Sequence, residues 1–283
     1  MSISNSAILV ELNISVWTAN VVDRAATDKV TRDANASYDA GQFRKNLMAG
    51  TTKRKEIANY AAATRTWHNG ATMPWSDQGP RVTPLSRFMW YKQELNKRKD
   101  HFDGLVEDFV ANYDQHVQES LHYLGSMANP DDYPSPDEIR SKFAMTAVFS
   151  SVPQSGDFRL DLPAEELEQV KRDYDEAYER RLADAMRDPW NKLHDRLTKM
   201  LAKVDDSNGG VAKRWGEGFV TGAEALCDTL GQLNLTNDPK LEEARRRLKG
   251  ALANVYVEDL KEDASIREQM KTKLDNILQD YEW

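Results

Sequence analysis

Apolar positions recur with a helical period through most of this chain, and the longest such run begins at residue 84. Phe88, Leu95, Phe102 and Phe109 fall seven apart, and Leu85, Val106, Tyr113, Val117, Leu121 and Leu124 extend the stripe. That spacing predicts a helix from 84 to about 127, buried along one seam. Unbroken, at 1.5 Å per residue, it would span about 66 Å. A second run, 163–204, carries Leu167, Val170, Tyr174, Tyr178, Leu182, Trp190, Leu193, Leu197, Met200 and Val204. It opens at Pro163 with Glu165 and Glu166 where the helix dipole favours negative charge, and Pro189 predicts a kink or break near its middle. Lys92 and Lys99 stand where a strict zipper needs apolar residues. Aliphatic lysine stems covering the seam of an antiparallel intramolecular hairpin fit that pattern better than a parallel dimer.

Elsewhere the period shortens or fails. Residues 8–17 alternate around Leu12, Ile14 and Val16 and predict a strand. Residues 21–35 permit a polar helix with Asp23, Thr27 or Asp28 as N-cap. Residues 41–68 predict two helices separated by Gly50-Thr51-Thr52. Residues 70–84 hold three prolines and two glycines and predict a loop, pinned to a core by Trp75. Ser135-Pro136-Asp137-Glu138 predicts an N-cap with proline at the first helical position, opening a short helix to Phe143. Residues 144–152 and 156–162 alternate as a hairpin, which with the first strand makes a small three-stranded sheet. After a linker at 205–210, helices are expected at 211–233, 239–258 and 264–281, with a turn at 235–239. The fold class is therefore mainly α: a long antiparallel helical hairpin, coiled-coil-like, with a small β element and packed terminal helices. Its parts are 1–83, a strand plus helices; 84–204, the hairpin with its β insert at 144–162; and 205–283, a helical bundle.

Composition narrows the function classes. The 283 residues suffice for a core without disulfides or metals. Charged residues make up 30% of the chain, which suits helices with large solvated faces. A net charge of −8 disfavours nucleic acid as a default partner, since phosphate binding rests on accumulated Lys and Arg. The single cysteine, Cys227, excludes an intrachain disulfide and fits a reducing compartment. No run approaches the ~20 apolar residues of a membrane span, and the first residues do not read as a signal peptide, so a cytoplasmic protein is expected.

Candidate chemistry is sparse. Glu119 and His122 have the Glu-x-x-His spacing of carboxylate-bridged di-iron bundles, but no second pair exists, and His116 lies on a different helix face. Gly216-Glu217-Gly218 with Gly222 has the wrong spacing for a dinucleotide fingerprint and reads as a device for close helix packing. Cys227 reads as a small buried hydrophobe. No residue set supplies both an activating group and a pocket, so no catalytic, metal or cofactor residues are assigned and a non-enzymatic protein is expected. The basic clusters Lys53-Arg54-Lys55 and Arg245-Arg246-Arg247 are the candidate partner or phosphate contacts, with Lys97, Arg98 and Lys99 as a third. Of seven tryptophans, Trp17, Trp67, Trp75 and Trp90 fall in the first third and are expected in one core, with one or two as interface anchors.

Leu9-Val10-Glu11-Leu12-Asn13-Ile14-Ser15-Val16-Trp17-Thr18, together with Leu233-Asn234-Leu235-Thr236-Asn237-Asp238-Pro239, resembles a family of unknown function from tailed bacteriophages and mobile elements. Its members often lie beside genes for MoxR-type, cobaltochelatase-like AAA+ ATPases and von Willebrand A-type proteins. The resemblance implies a phage-encoded accessory protein acting in the host cytoplasm, with a AAA+ ATPase or copies of itself as partner. It supplies no catalytic residues. The exposed tip at 131–136 and the β insert are the expected contact regions. The alternatives are a DNA-binding accessory in replication or recombination, using the basic clusters, and a virion or assembly component.

Overall fold

Helix forms where the apolar period is sustained over several turns, and strand where β-branched residues alternate. In the computed structural model the described residues are 3–77, 79–153, 163–205, 215–281 and 283. Their elements are β1 (Ala7–Ser15), β2 (Asn20–Val22), α1 (Arg24–Asp33), β3 (Arg44–Asn46), α2 (Lys53–Ala71), β4 (Met73–Pro74), β5 (Arg81–Pro84), α3 (Leu85–Ala111), α4 (Tyr113–Leu124) and α5 (Pro136–Ser141). They continue with β6 (Ala144–Ser151), α6 (Ala164–Val204), α7 (Thr221–Leu233), α8 (Pro239–Leu252), α9 (Val257–Glu262) and α10 (Ala264–Gln279). The protein is mainly helical with a small sheet, as the period requires.

The chain divides into two compact units of interleaved segments: residues 1–11, 69–91 and 148–283, and residues 12–68 and 92–147. In the first, β1 pairs antiparallel with β5, from Ala7 opposite Pro84 to Val10 opposite Arg81, and β4 pairs with β5. The sheet order is β4-β5-β1-β6. Leu9, Met73, Trp75 and Val82 pack here with Leu182 and Ala185 of α6. A second core lies further along α6, where Leu193, Leu197, Met200 and Val204 meet Leu230, Leu248, Leu260 and Leu274 from the four C-terminal helices. Pro189 does not break α6, which runs through it with Ala185, Pro189 and Leu193 all buried. Burial on both sides of the proline offsets the ~3 kcal/mol it costs inside a helix.

In the second unit, Phe102, Val106, Phe109 and Tyr113 form one core with Leu47, Ile57, Ala61, Ile139 and Met145. The period at 84–127 marks Leu95, Phe102, Val106, Phe109, Tyr113 and Leu124 as buried, but Leu85 is exposed, Val117 and Leu121 are half-buried, and the segment is two helices, divided at Asn112. A hairpin of the two long helices is not confirmed. Leu95, Phe102 and Phe109 are buried. Phe88 is half-buried, its ring edge-on to Phe149 at 5.2 Å.

Local signals set the remaining ends. Asp23 caps α1 by accepting from Ala26 N at 2.9 Å. Ser135 and Glu138 form a full capping box on α5. The helix expected near 41–49 is instead a strand, β3, antiparallel to β2. Phe43 and Leu47 alone give one apolar contact, too little to nucleate a helix. Leu47 instead donates its main-chain N–H to Ala19 O at 2.7 Å and buries its side chain. Gly50 turns the chain into α2 at φ +87°, where the Tyr123 ring occupies the space a Cβ would need. The loop expected at 70–84 contains β4 and β5, and Trp75 is buried as its setting requires. The expected strand at 156–162 lies outside the described residues, as do residues 211–214 of the helix expected from 211, but 215–220 are described and not α-helical, a 3-10 turn occupying Glu217–Phe219 before α7 begins at Thr221.

Phe102→Ala should cost about 3–5 kcal/mol, because a fully buried ring leaves a cavity. Phe88→Ala should cost distinctly less. Urea unfolding of both variants, followed by near- and far-ultraviolet circular dichroism, checks the ranking.

Candidate functional site

The basic clusters expected to contact phosphate are largely engaged within the chain. Lys53 pairs with Asp108 at 3.2 Å, and Arg54 Nη1 donates to the carbonyls of Trp17 and Thr18 at 3.0 and 2.9 Å. Arg245 Nε donates to Glu242 at 2.9 Å, Arg247 pairs with Asp280 at 2.6 Å, and Lys249 pairs with Asp228 at 3.0 Å. Lys97 and Lys99 pair with Glu94 and Asp103, and the Arg98 guanidinium lies over the Trp67 ring at 4.5 Å. Lys55 and Arg246 are exposed.

The expected contact tip at 131–136 is tied down as well. Lys45, buried, donates to Met127 O at 2.9 Å and pairs with Asp132 at 2.5 Å. His116 is buried and stacked on Phe109, with Nδ1 3.8 Å from the Glu119 carboxylate, while His122 packs on Tyr123. Among the described residues no group of three or more His, Cys, Asp or Glu could hold a metal ion. Gly216 and Gly218 face open space rather than a helix, and a Cβ at Gly222 would meet the Arg196 guanidinium at 3.1 Å. The expectation of glycines that admit a close helix therefore fails at 216 and 218. The tryptophans do not share one core: Trp17 borders the core of the second unit and Trp75 lies in the first.

Both stretches that carry the resemblance have structural roles. Leu9–Ser15 belong to β1. In the other stretch, Asn234 Oδ1 accepts from Asp238 N at 2.8 Å and closes the turn, with Asn237 at positive φ. Asp238 Oδ1 then caps α8, and its Oδ2 accepts from Trp190 Nε1 at 3.0 Å.

The concentration of buried charge lies in the first unit, where α2 ends and α3 begins. The last carbonyls of a helix have no intrahelical partner. Here Lys192 Nζ donates to Asn69 O and Thr72 O, both at 2.9 Å, and Arg81 Nη2 donates to the same two oxygens at 3.2 and 3.0 Å. Arg81 Nε also donates to Thr72 Oγ1 at 2.7 Å. Asp188, one turn before Lys192, pairs with the ammonium at 2.6 Å. Burial lowers the Lys192 pKa, with Arg81 and Arg87 acting in the same direction and Asp188 opposing.

Arg87 stands apart from this compensated group. It is only 4% exposed, yet Nε and Nη1 have no hydrogen-bond partner. Burial lowers its pKa, and among the described residues no carboxylate offsets the effect. Its guanidinium lies 4.4 Å from the centroid of Trp90. The exposed arc of the same helical turns carries Leu85, Met89 and Trp90, which are 44%, 62% and 43% exposed. Phe88 and Tyr91 turn inward toward Phe149. The arrangement joins an apolar surface to a cation that remains charged at any ordinary pH.

Sequence reasoning missed Arg87 because an arginine beside Ser86 reads as solvated. The available signal was its position four residues before Tyr91, on the inward arc. Comparison with protein-family models, with curated proteins and with solved structures finds no match.

Cys227 is fully buried, and burial pushes its thiol up to about 11. At pH 8 roughly one molecule in a thousand would carry the reactive thiolate. The native protein should therefore resist a disulfide reagent at that pH and titrate one thiol in denaturant, measured by thionitrobenzoate release.

Proposed function

We propose that this chain is a non-enzymatic interaction module that docks a partner protein on the first two turns of α3. Buried Arg87, without a carboxylate of its own and beside exposed Leu85, Met89 and Trp90, is the observation that carries this reading. Burying guanidinium N–H groups without hydrogen bonds costs free energy, and a partner carboxylate brought up beside Trp90 offsets part of that cost through its charge. Trp, Met and Arg are the residue types that concentrate binding energy at interface centres. The partner so recognised presents a carboxylate flanked by apolar side chains.

The resemblance of Leu9–Thr18 and Leu233–Pro239 to the phage family makes a MoxR-type AAA+ ATPase the partner to test. In that reading the chain is a phage-encoded adaptor acting in the host cytoplasm. Among the described residues no helix is long and apolar enough to cross a membrane.

Light scattering coupled to size exclusion, on the chain alone and with such an ATPase and ATP, should reveal a defined joint assembly. Met89→Glu should abolish it while changing stability by no more than about 0.5 kcal/mol, as at exposed positions generally. Arg87→Met should abolish it with stability unchanged or raised, since it removes a buried unpaired charge and keeps the packing stem. A loss of stability in Arg87→Met with binding retained would make Arg87 a structural residue and overturn the proposal. Self-association lost in Met89→Glu would replace the ATPase by a second copy of this chain.

A further inference from the structure

A second cationic surface lies on α6, away from the basic clusters of the sequence. Lys192, Arg196, Lys199 and Lys203 follow one another at intervals of four, three and four residues and share one helix face. Lys192 is engaged at the end of α2, but the other three line a groove of about 400 Å³ with Trp215, Gly216 and Gly218. Met200 and Phe219 also line it, and among the described residues no carboxylate does. Among the described residues Arg196, Lys199 and Lys203 form no ion pair, in a chain whose net charge is −8.

The groove is built rather than incidental. Arg196 Nη2 donates to Gly218 O and Phe219 O, both at 2.7 Å, which fixes the guanidinium against the turn, and its buried Nε has no partner. Gly222 leaves the space that the guanidinium fills, since a Cβ there would stand 3.1 Å from it. Trp215 is half-buried, held edge-on to Phe219 at 5.3 Å, and the Lys203 ammonium lies 5.7 Å from its ring centroid. A Cβ at Gly216 or Gly218 would meet nothing within 4 Å, so the backbone there is open to a ligand.

We infer that this groove binds a nucleotide unit, with its phosphate held by Arg196, Lys199 and Lys203 and its base against Trp215, either as a free nucleotide or within a single strand. Cations tracking a backbone beside an aromatic platform are what single-strand binding requires. A groove of this size accommodates one such unit. The inference goes beyond the docking reading and does not use Arg87.

Fluorescence anisotropy of a labelled short oligothymidylate tests it on the full chain, with unlabelled thymidine monophosphate and pyrophosphate as competitors. Binding should weaken with salt, with a logarithmic slope of about −0.7 for the one phosphate neutralised. The Lys199→Glu/Lys203→Glu double variant should lose at least about tenfold in affinity, as should Trp215→Ala, given the worth of stacking one base. Circular dichroism should show both folded. Arg87→Met should bind as the parent does, which separates failure here from failure of the docking reading. Trp215-dependent binding of the monophosphate without the oligonucleotide would assign the groove to free nucleotides. No binding at low salt, or affinity unchanged in the double variant or in Trp215→Ala, would overturn the inference.

Discussion

The main-chain carbonyls of Asn69 and Thr72, where α2 ends, need partners, and the first unit is arranged to supply them. Lys192 comes from the middle of α6 and Arg81 from β5, so one set of hydrogen bonds joins a helix end, a strand and a second helix. An ammonium in that position satisfies the oxygens and the negative end of the helix dipole together. Asp188 compensates the ammonium from one turn away on the same helix. This places β5 and, directly after it, the start of α3. The consequence is that the charge of Arg87 bears on Lys192, while among the described residues Arg87 has no carboxylate of its own.

Charge is used in two distinct ways along the chain. Many surface lysines and arginines are paired within three or four residues or with an acid on an adjacent element, as Lys97 is with Glu94 and Arg247 with Asp280, though these are fewer than half of the described ones. Such exposed pairs contribute little to stability individually, but they neutralise the basic clusters as ligand sites. Three cations without a paired acid among the described residues are positioned by hydrogen bonds or aromatic faces instead. Arg87 rests on Trp90, Arg196 on two carbonyls of the Gly218 turn, and Lys203 over Trp215. A long helix such as α6 can carry both functions because its buried and cationic faces are adjacent arcs of one surface.

The stretches Leu9–Thr18 and Leu233–Pro239 illustrate why a sequence likeness need not point to a site. One includes β1, and the other closes a turn, caps α8 and holds Trp190. Residues of this kind are constrained by backbone geometry. The surfaces proposed to meet a partner or a nucleotide are built elsewhere, from residues unremarkable in the linear sequence.

Local information determined a large share of the secondary structure. The sustained apolar period marked α6 and the buried positions Leu95, Phe102 and Phe109, alternation marked β1 and β6, and Ser135-Pro136 marked the start of α5. Each rests on interactions within a few residues, which is why it can be read in order along the chain. Only the tertiary structure decided the rest. Residues 44–46 became a strand because the segment 20–22 offered its main chain, and Pro189 stayed helical because both sides of it are buried. The long helices acquired burying partners from separate stretches of sequence, which a period cannot name. Whether a cation is spent or free depends on distant acids and carbonyls, so the pairing of Lys53 with Asp108 and the lack of a carboxylate for Arg87 follow from the fold alone.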